Sequence, residues 1–465
     1  MRAALEAVLQ TRCGQPLGGT HPISGLRRLS GGANMETWAF DYGPVPLILR
    51  RLPAAMDSAQ VNQVSALSIE DEARVIRTAG AHGVTVPSVI TTLEPADGIG
   101  RGFIMSRVQG ETLAKRIQKK PEFEAARRRF TADCARELAH IHQIPVNNEL
   151  PSLPLLTPQR AIEMLSDEFA HYHYESPISY LAFHWLRHCC PDAPAEPSVL
   201  HGDFRLGNLL IDAEGMTGVL DWELAHLGDP AQDLAYICTP SWRFANYAQP
   251  VGGLGEMDEF LRQYALQGGQ PVPAERVQFW LVYSSLWWLA VCLKMAGFWR
   301  SGEDRSLERA IIGRRVTEAE LDLLLLMESA NGDYPAKVVW QPPAAADTVG
   351  TTSYGDVSQA VVEWLNGIDL DALEPRLRFE NRVAANGLGM VTRALTLGPV
   401  VAARAADRLA ALKHDEDSFT VAAKNGAVSL DDPATLTHLR LSALDQLYLD
   451  QPEYPGLGFA LKRWT

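Results

Sequence analysis

The segments HGDFRLGN (201–208) and LDWE (220–223) hold side chains that bind protons or divalent metals, at fixed distances inside apolar surroundings. Transfer of a phosphoryl group to a hydroxyl needs a carboxylate that positions, and can deprotonate, the attacking oxygen. It also needs Mg²⁺, which prefers hard oxygen ligands. Asp203 is therefore the candidate for the carboxylate, and Asn208 and Asp221 are the candidates for the metal ligands.

The surrounding residues predict how these side chains meet. Asn208 stands at the start of the strand-like run NLLID, and Asp221 ends the strand-like run TGVLD. A hairpin between the two runs would return Asp221 to the neighbourhood of Asn208. The alternative is that these residues only cap turns and helices. That alternative would suffice for a single Asp, whereas the ordered set favours a catalytic site.

The order His-x-Asp-x4-Asn followed by a further Asp resembles the catalytic loop of kinases. With HGD and LDWE, and with HLGDPAQDLAYI (226–237) continuing the pattern, the chain resembles the aminoglycoside phosphotransferase family over about residues 20–320. The resemblance implies an ATP- and Mg²⁺-dependent small-molecule kinase. It also implies that Asp233 supports the catalytic loop.

The N-terminal residues fit the same chemistry. Gly31 and Gly32, in LSGGANMETW, suit a close approach of the backbone to phosphates, although an ordinary turn is an equally open interpretation. PLILRRL places Arg50 where a kinase has the phosphate-binding Lys, and Arg keeps the charge with a different geometry. Glu72 matches the helix Glu that pairs with this cation; its alternative role is a solvated helix carboxylate.

FIMSRVQGETL (103–113) resembles the hinge between the two lobes of the family. The resemblance implies that backbone groups of a residue such as Arg107 or Val108 meet the adenine ring.

Both composition and resemblance indicate which chemical class of acceptor to expect. Residues 241–316 hold nine basic and seven acidic side chains and many aromatic ones, in a chain of net charge −14. A slightly basic region suits an acidic or acyl-bearing acceptor better than a polycation. LSGGANMETWAF, LILRR and LDWELAHLGDPAQDLAY also resemble the branch related to the phosphotransferase domains of acyl-CoA dehydrogenase fusions. A hydroxyacyl-CoA is thus the expected acceptor, ahead of an aminoglycoside, choline or a sugar.

A rival hypothesis is a pseudokinase, a nucleotide-binding scaffold whose C-terminal domain recruits a partner. Its main support is Arg50 in place of Lys. Against it, Asp203, Asn208 and Asp221 are all present.

The expected fold class is α+β: a protein-kinase-like fold of two lobes, with a small antiparallel sheet in the first and mainly helices in the second, plus a C-terminal all-α domain. The expected domains are a nucleotide-binding lobe (1–108), a helical catalytic lobe (109–331), a Pro/Ala/Thr/Gly-rich linker (332–352) and a helical domain (353–465).

Composition and charge narrow the remaining possibilities. The net charge of −14 argues against general nucleic-acid binding. Six scattered cysteines and an N-terminus without the pattern of a signal peptide predict a cytoplasmic protein with reduced thiols. The most apolar stretch (279–293) is shorter than a membrane span, so a buried helix is expected and no membrane partner. The expected partner is a small-molecule hydroxyl substrate, and the sequence leaves the oligomeric state open.

Overall fold

The computed structural model describes residues 1–13, 17–29, 35–52, 67–244, 246–331, 337–345 and 351–465. The predicted phosphate-binding residues Gly31 and Gly32 lie outside the described residues. The chain forms two compact units, one from residues 1–158 and 192–277 and the other from residues 159–191 and 278–465. The domain limits expected after residues 108, 331 and 352 remain a prediction.

The described strands all belong to the first unit, whereas helices occur in each of the two units. The strands are β1 (Ile23–Arg28), β2 (Glu36–Tyr42), β3 (Val45–Arg51), β4 (Val89–Leu93), β5 (Gly102–Ser106), β6 (Ser198–Leu200), β7 (Leu209–Ile211), β8 (Met216–Val219) and β9 (His226–Gly228).

The helices up to residue 301 are α1 (Arg2–Cys13), α2 (Ile69–Ala81), α3 (Ala114–Lys119), α4 (Glu124–His142), α5 (Pro158–Tyr172), α6 (Pro177–His188), α7 (Pro230–Tyr236), α8 (Met257–Leu266) and α9 (Ala274–Ser301). The later ones are α10 (Leu307–Ile312), α11 (Val316–Asn331), α12 (Tyr354–Asn366), α13 (Pro375–Ala411), α14 (Glu416–Lys424), α15 (Pro433–Asp450) and α16 (Pro455–Trp464).

The first unit begins with a five-stranded antiparallel sheet in the order β1-β2-β3-β5-β4. The central strand β3 buries Leu47, Ile48 and Leu49 in succession, because both of its faces are covered. Arg50 follows directly, opposite Phe103 of β5. The sheet thus fixes Arg50 at the end of a buried strand.

Helix α2 begins where the sequence predicts it. The Ser68 side chain accepts a hydrogen bond from the Asp71 backbone N–H, as an N-cap does. Ile69, Val75 and Ile76 form the buried face, and Glu72 is buried on the same helix with 1% of its surface exposed. A carboxylate so placed requires a charged partner.

Two short two-stranded sheets, of which only the β7–β8 pair is a hairpin, carry the central motifs of the first unit. β7 pairs with β8, and β6 pairs with β9, both antiparallel. Helix α7 follows β9 and is capped by the Asp229 side chain, which accepts a hydrogen bond from the Ala231 N–H. The hairpin predicted between Asn208 and Asp221 is therefore present.

The second unit is entirely helical within its described residues. Its core contains a buried ion pair: the Arg440 guanidinium donates to both Glu328 carboxylate oxygens at 2.9 and 3.0 Å. The Trp464 indole N–H donates to the same carboxylate at 2.9 Å. α11, α15 and α16 are thus joined through one carboxylate.

The apolar stretch 279–293 lies within α9, which is longer than the stretch itself. Within the described part of the chain, α9 is one helix that is long and apolar enough to cross a membrane by length and composition alone. Inside the protein, 56% of its most apolar window is buried. Core helices of folded domains pass the same test, and the expected absence of a membrane partner remains a prediction.

Candidate active site

Asp203 lies in the loop between β6 and β7, with 9% of its surface exposed. Its Oδ1 accepts a hydrogen bond from Arg205 Nε at 2.9 Å, and its Oδ2 accepts one from Asn208 Nδ2 at 2.5 Å. The buried hydroxyl of Tyr236 is also hydrogen-bonded to this carboxylate. Asp203 is therefore held in one orientation by three side chains.

The β7–β8 hairpin brings Asp221 back to Asn208, as predicted. The Leu220 N–H donates to the Asn208 carbonyl at 2.8 Å, immediately before Asp221. Because the Asn208 Nδ2 group donates to Asp203, its amide oxygen is the atom left for a cation. Asp221 has a left-handed backbone (φ 67°), a conformation that Asp tolerates better than most residues. Its side chain is 32% exposed.

Arg50 contacts three carboxylates. Its Nη2 donates to Asp221 Oδ1 at 2.6 Å and to Glu223 Oε2 at 3.0 Å, and its Nε lies 3.4 Å from Glu72 Oε2. Burial disfavours the charged guanidinium, but the carboxylates, Glu72 foremost, outweigh this effect and raise the pKa of Arg50 above its usual value. Arg50 is charged whenever the protein is folded.

Burial is the main reason why the pKa of Glu72 is raised to about 7. Arg50 opposes this shift, while Asp221 and Glu223 add to it by repulsion. The pKa of Glu223 is raised as well, first by burial and then by Asp221. Each carboxylate thus makes it harder for its neighbours to ionise.

The charge balance of this cluster suits a divalent cation. It holds four carboxylates (Glu72, Asp203, Asp221 and Glu223) against two guanidiniums (Arg50 and Arg205). When all are ionised, two negative charges remain. Among the described residues no group of three or more His, Cys, Asp or Glu side chains is arranged to hold a metal unaided. The set fits Mg²⁺, which takes one or two carboxylates and completes its shell with water and phosphate oxygens.

The Asp233 carboxylate supports the catalytic loop through hydrogen bonds with its backbone. This carboxylate accepts hydrogen bonds from the backbone N–H groups of His201 at 2.7 Å and Gly202 at 3.0 Å. His142 Nε2 lies 3.3 Å from the same carboxylate. Burial opposes its ionisation, but the hydrogen bond and charge of His142 and the contact with His201 outweigh burial and lower the pKa of Asp233.

His201 orients the loop through both ring nitrogens. Its Nδ1 accepts from the Asp203 N–H at 3.1 Å, so the proton of the neutral ring is on Nε2, which lies 3.0 Å from the Leu220 carbonyl. Burial lowers the pKa of His201, which favours this neutral form. The ring therefore links the backbone of Asp203 with Leu220, the residue before Asp221.

The structure brings Asp203, Asn208, Asp221, Arg50 and Glu72 into one network of contacts, and their catalytic roles remain predictions. Arg107, a residue of the predicted hinge, makes contacts of its own outside this network. The Arg107 backbone N–H donates to the Pro46 carbonyl at 3.0 Å, and its side chain binds Asp41 at 2.6 Å. The Arg107 N–H is thus engaged within the protein.

Several residues of the network had no assigned role from the sequence. Glu223 stood within the LDWE motif without being singled out, and His142 was given no role in the site. Arg205, which pairs with Asp203 and lies 4.7 Å from the centre of the Trp242 ring, was also missed. The charge of Glu223 and Arg205 inside a motif was the available signal. Nothing local connects His142 with Asp233, 91 residues away.

The count of basic residues in 241–316 overstates the free positive charge. Six of the nine are engaged by carboxylates or carbonyls within their own unit: Arg243, Arg262, Arg276, Arg309, Arg314 and Arg315. The composition of this region alone is therefore a weak guide to the acceptor.

Two family models match the chain. The phosphotransferase enzyme family (APH) matches residues 25–269, more than half of the chain, and includes every described residue of the network above. A domain of unknown function (DUF6285) matches residues 371–454 of the second unit.

Two curated relatives resemble part of the chain. Acyl-CoA dehydrogenase family member 10 of Mus musculus is 27% identical over 286 residues, covering 56% of this chain and 26% of that protein. Probable acyl-CoA dehydrogenase IBR3 of Arabidopsis thaliana is 28% identical over 278 residues, covering 53% and 33%. The match thus spans about a quarter to a third of these relatives.

A proposed aminoglycoside phosphotransferase of Ralstonia eutropha superposes with a TM-score of 0.55 at 24% identity, over 70% of this chain and 98% of its own. This likeness supports the predicted kinase-like fold, with its small antiparallel sheet and helical remainder. The chain belongs to the phosphotransferase enzyme family, whose members transfer a phosphoryl group to an acceptor hydroxyl.

Proposed function

We propose that the protein transfers the γ-phosphoryl group of ATP, with Mg²⁺, to the hydroxyl of a hydroxyacyl-CoA. The observation that carries the chemistry is the network of contacts that joins Asp203, Asn208 and Asp221 to Arg50. The acceptor class rests on the sequence resemblance to the branch fused to acyl-CoA dehydrogenases and on the names of the curated relatives.

In the proposed reaction, Asp203 positions the substrate hydroxyl and receives its proton as the oxygen attacks the γ-phosphorus. The bond from that phosphorus to the β–γ bridging oxygen breaks, and ADP leaves with both electrons of the bond. Asp203 suits the task because Asn208, Arg205 and Tyr236 fix its carboxylate, so little reorganisation precedes attack.

The amide oxygen of Asn208 and the carboxylate of Asp221 would hold Mg²⁺, with Glu223 close by. The metal supplies neutralisation of the phosphate charge. Arg50 would bind phosphate oxygens, for which it must exchange part of its contact with Asp221 and Glu223. Glu72 would keep Arg50 in place during this exchange through the Nε side of the guanidinium.

The first test is ATP consumption against a panel of hydroxyacyl-CoAs, aminoglycosides, choline and sugars. We expect turnover with the thioesters, and we expect Asp203→Ala to lower kcat by about a thousandfold or more while ADP binding is kept. Asp192→Ala, which removes an exposed carboxylate of the same unit, should leave kcat unchanged.

The panel also separates the alternatives. Turnover confined to aminoglycosides, choline or sugars would keep the mechanism and refute the acceptor class. Bound nucleotide without turnover on any acceptor would favour the pseudokinase hypothesis. Equal turnover by Asp203→Ala would refute the assigned base.

A further inference from the structure

The C-terminal part of the second unit contains a cavity of about 400 Å³ that lies along α13. Its walls come from the end of α12, one face of α13 and the segment between α15 and α16. The lining residues of α13 run from Asn381 to Arg393, a rise of about 18 Å at 1.5 Å per residue. The cavity is therefore elongated along the helix.

The polar lining favours an anion. Arg382 and Arg393 face the cavity, with Glu453 as the opposing carboxylate, so its net charge is +1 in a chain of −14. The amides of Asn366, Asn381 and Asn386 add neutral donors and acceptors. Arg382 and Asn386 are four residues apart on α13, so their side chains lie on the same face of the helix.

The two arginines differ in what holds them. Arg393 donates to the Leu449 carbonyl at 2.7 Å and to the Asp450 carbonyl at 3.1 Å, so it serves the C-terminus of α15. Arg382 is exposed, and the described residues include no ion pair or hydrogen bond to its side chain. The structure of the unit thus accounts for Arg393 but not for Arg382.

Two glycines of α13, Gly387 and Gly389, lie in different surroundings. A glycine inside a helix is destabilising relative to alanine. Gly387 has a packing reason, because a Cβ there would come within 2.7 Å of Ile311 of α10. A Cβ at Gly389 would meet only Arg393 Nη1, at 3.3 Å, and Gly389 lines the cavity. Helix packing therefore does not require a glycine at position 389, and the missing Cβ leaves room in the cavity.

The remaining residues of the lining are Gln451, which adds a further amide, and the apolar residues Val362, Leu365, Leu370, Ala385 and Pro452. A ligand that fills the cavity must therefore combine an anionic end with a body that is partly apolar.

We propose that this cavity binds a linear organic phosphate, a phosphate monoester whose chain carries amide or hydroxyl groups. The phosphate meets Arg382, Asn381 and Asn386, which together offer more donors than the two oxygens of a carboxylate require. The chain lies over Gly389 towards Arg393. The proposal does not depend on the phosphotransfer chemistry of the first unit.

The test is isothermal titration of the full chain with 4′-phosphopantetheine, pantetheine and inorganic phosphate. We expect 4′-phosphopantetheine to bind at least tenfold more tightly than either of the others. Arg382→Gln should weaken its binding by at least tenfold. Gly389→Leu should abolish binding by filling the cavity. Arg376→Gln, which removes an exposed arginine of α13 outside the cavity, should bind as the unchanged chain does.

Hydrogen–deuterium exchange locates the bound probe, and we expect protection of 362–393. Circular dichroism checks folding, and Arg382→Gln decides the matter if Gly389→Leu does not fold. Unchanged affinity in Arg382→Gln, protection confined to the first unit, or no binding of 4′-phosphopantetheine would each overturn the proposal. Pantetheine binding as tightly as 4′-phosphopantetheine would overturn the assignment of a phosphate.

Discussion

At the scale of single residues, Arg50 shows why arginine can stand where other kinases have lysine. Its planar group offers donors on two edges, and the structure uses Nε towards Glu72 and Nη2 towards Asp221 and Glu223. A lysine ammonium is a single point charge and does not offer two separate edges of donors to carboxylates on different sides. The substitution that supported the pseudokinase hypothesis is therefore compatible with a working phosphate-binding cation.

Glu72 gives the site a predicted pH dependence. Its pKa of about 7 in the folded protein exceeds its usual 4.5, so the ionised form that pairs with Arg50 appears only as the pH rises through about 7. We expect ADP affinity to rise over that range and Glu72→Gln to abolish this rise, as measured by titration calorimetry at several pH values.

The raised pKa of Glu72 affects the stability of the fold in the opposite direction: its contribution to stability falls with rising pH, whereas ADP affinity rises. Because the folded state binds the Glu72 proton more tightly, the contribution of this group to the free energy of unfolding is full below pH 4.5 and is lost as the pH passes about 7.

Glu70→Gln is the control for the measurement of ADP affinity, since the pKa of Glu70 is lowered, chiefly by its hydrogen bond with Arg101. A pH profile of ADP affinity that is identical in Glu72→Gln and the unchanged chain would contradict the prediction.

Glu223 is the second residue that predicts a measurable effect. Its carboxylate adds negative charge beside Asp221, so Glu223→Gln should raise the Mg²⁺ concentration for half-maximal ATP turnover by about tenfold. The measurement is a Mg²⁺ titration at fixed ATP. Glu214→Gln, in the exposed turn between β7 and β8, should not move the midpoint. An unmoved midpoint in Glu223→Gln would place that carboxylate outside the metal's reach.

At the scale of elements, the active-site geometry follows from one hairpin and one helix. The β7–β8 hairpin sets the distance between Asn208 and Asp221, and α7 carries Asp233 beneath the loop. Asp233 accepts two backbone hydrogen bonds at full burial, so an amide in its place must turn one N–H group towards another donor.

We therefore expect Asp233→Asn to lower the unfolding free energy by about 1–3 kcal/mol and kcat by about tenfold or more. Denaturant titration and steady-state kinetics measure the two effects. Asp212→Asn is the matched control, because Asp212 also accepts two backbone N–H groups, at 2.8 and 3.0 Å, but in the turn after β7. Equal losses in both variants would refute a special role for Asp233.

Several elements of the first unit could be predicted from the sequence, because local patterns of apolar residues mark them. Ser68 caps α2, and the apolar run of β3 ends at Arg50. The sequence could not predict that His142 reaches Asp233 or that six arginines of 241–316 are already engaged. The contacts of His142 with Asp233, Arg276 with Asp229 and Arg314 with Asp450 join distant segments, and spacing along the chain carries no signal for them. The other four arginines find their partners within five residues, where the sequence places the partners nearby but does not show that the pairs form.

At the scale of the whole molecule, the described middle of the expected linker (337–345) makes contacts with the C-terminal helices. Residues 337–345 form no helix or strand, but the Val338 N–H donates to the Trp464 carbonyl at 2.8 Å and the Trp340 indole donates to Asp445 at 2.9 Å. This segment is therefore packed within the second unit, and the C-terminal helices share a core with α11 through Glu328.

That shared core predicts the effect of one substitution. Arg440→Met leaves the Glu328 carboxylate buried without its cation, and we expect a loss of about 3–5 kcal/mol in unfolding free energy. Denaturant titration measures it. Arg376→Gln, which removes an exposed i,i+4 pair with Glu380, should cost less than about 1 kcal/mol. The double variant Glu328→Gln with Arg440→Met should recover part of the loss; no recovery would mean that the charge is not its cause.

The second unit is built from two stretches of chain, and this affects its synthesis on the ribosome. His184 Nε2 of α6 lies 3.1 Å from the Lys424 carbonyl, a residue translated 240 positions later. At about 5–20 residues per second, α6 waits roughly 12–50 seconds for that neighbour. During this interval the side of α6 that packs on α14 lacks its final cover. We therefore expect nascent chains halted before residue 424 to be more exposed to chaperones and to aggregation than the complete second unit.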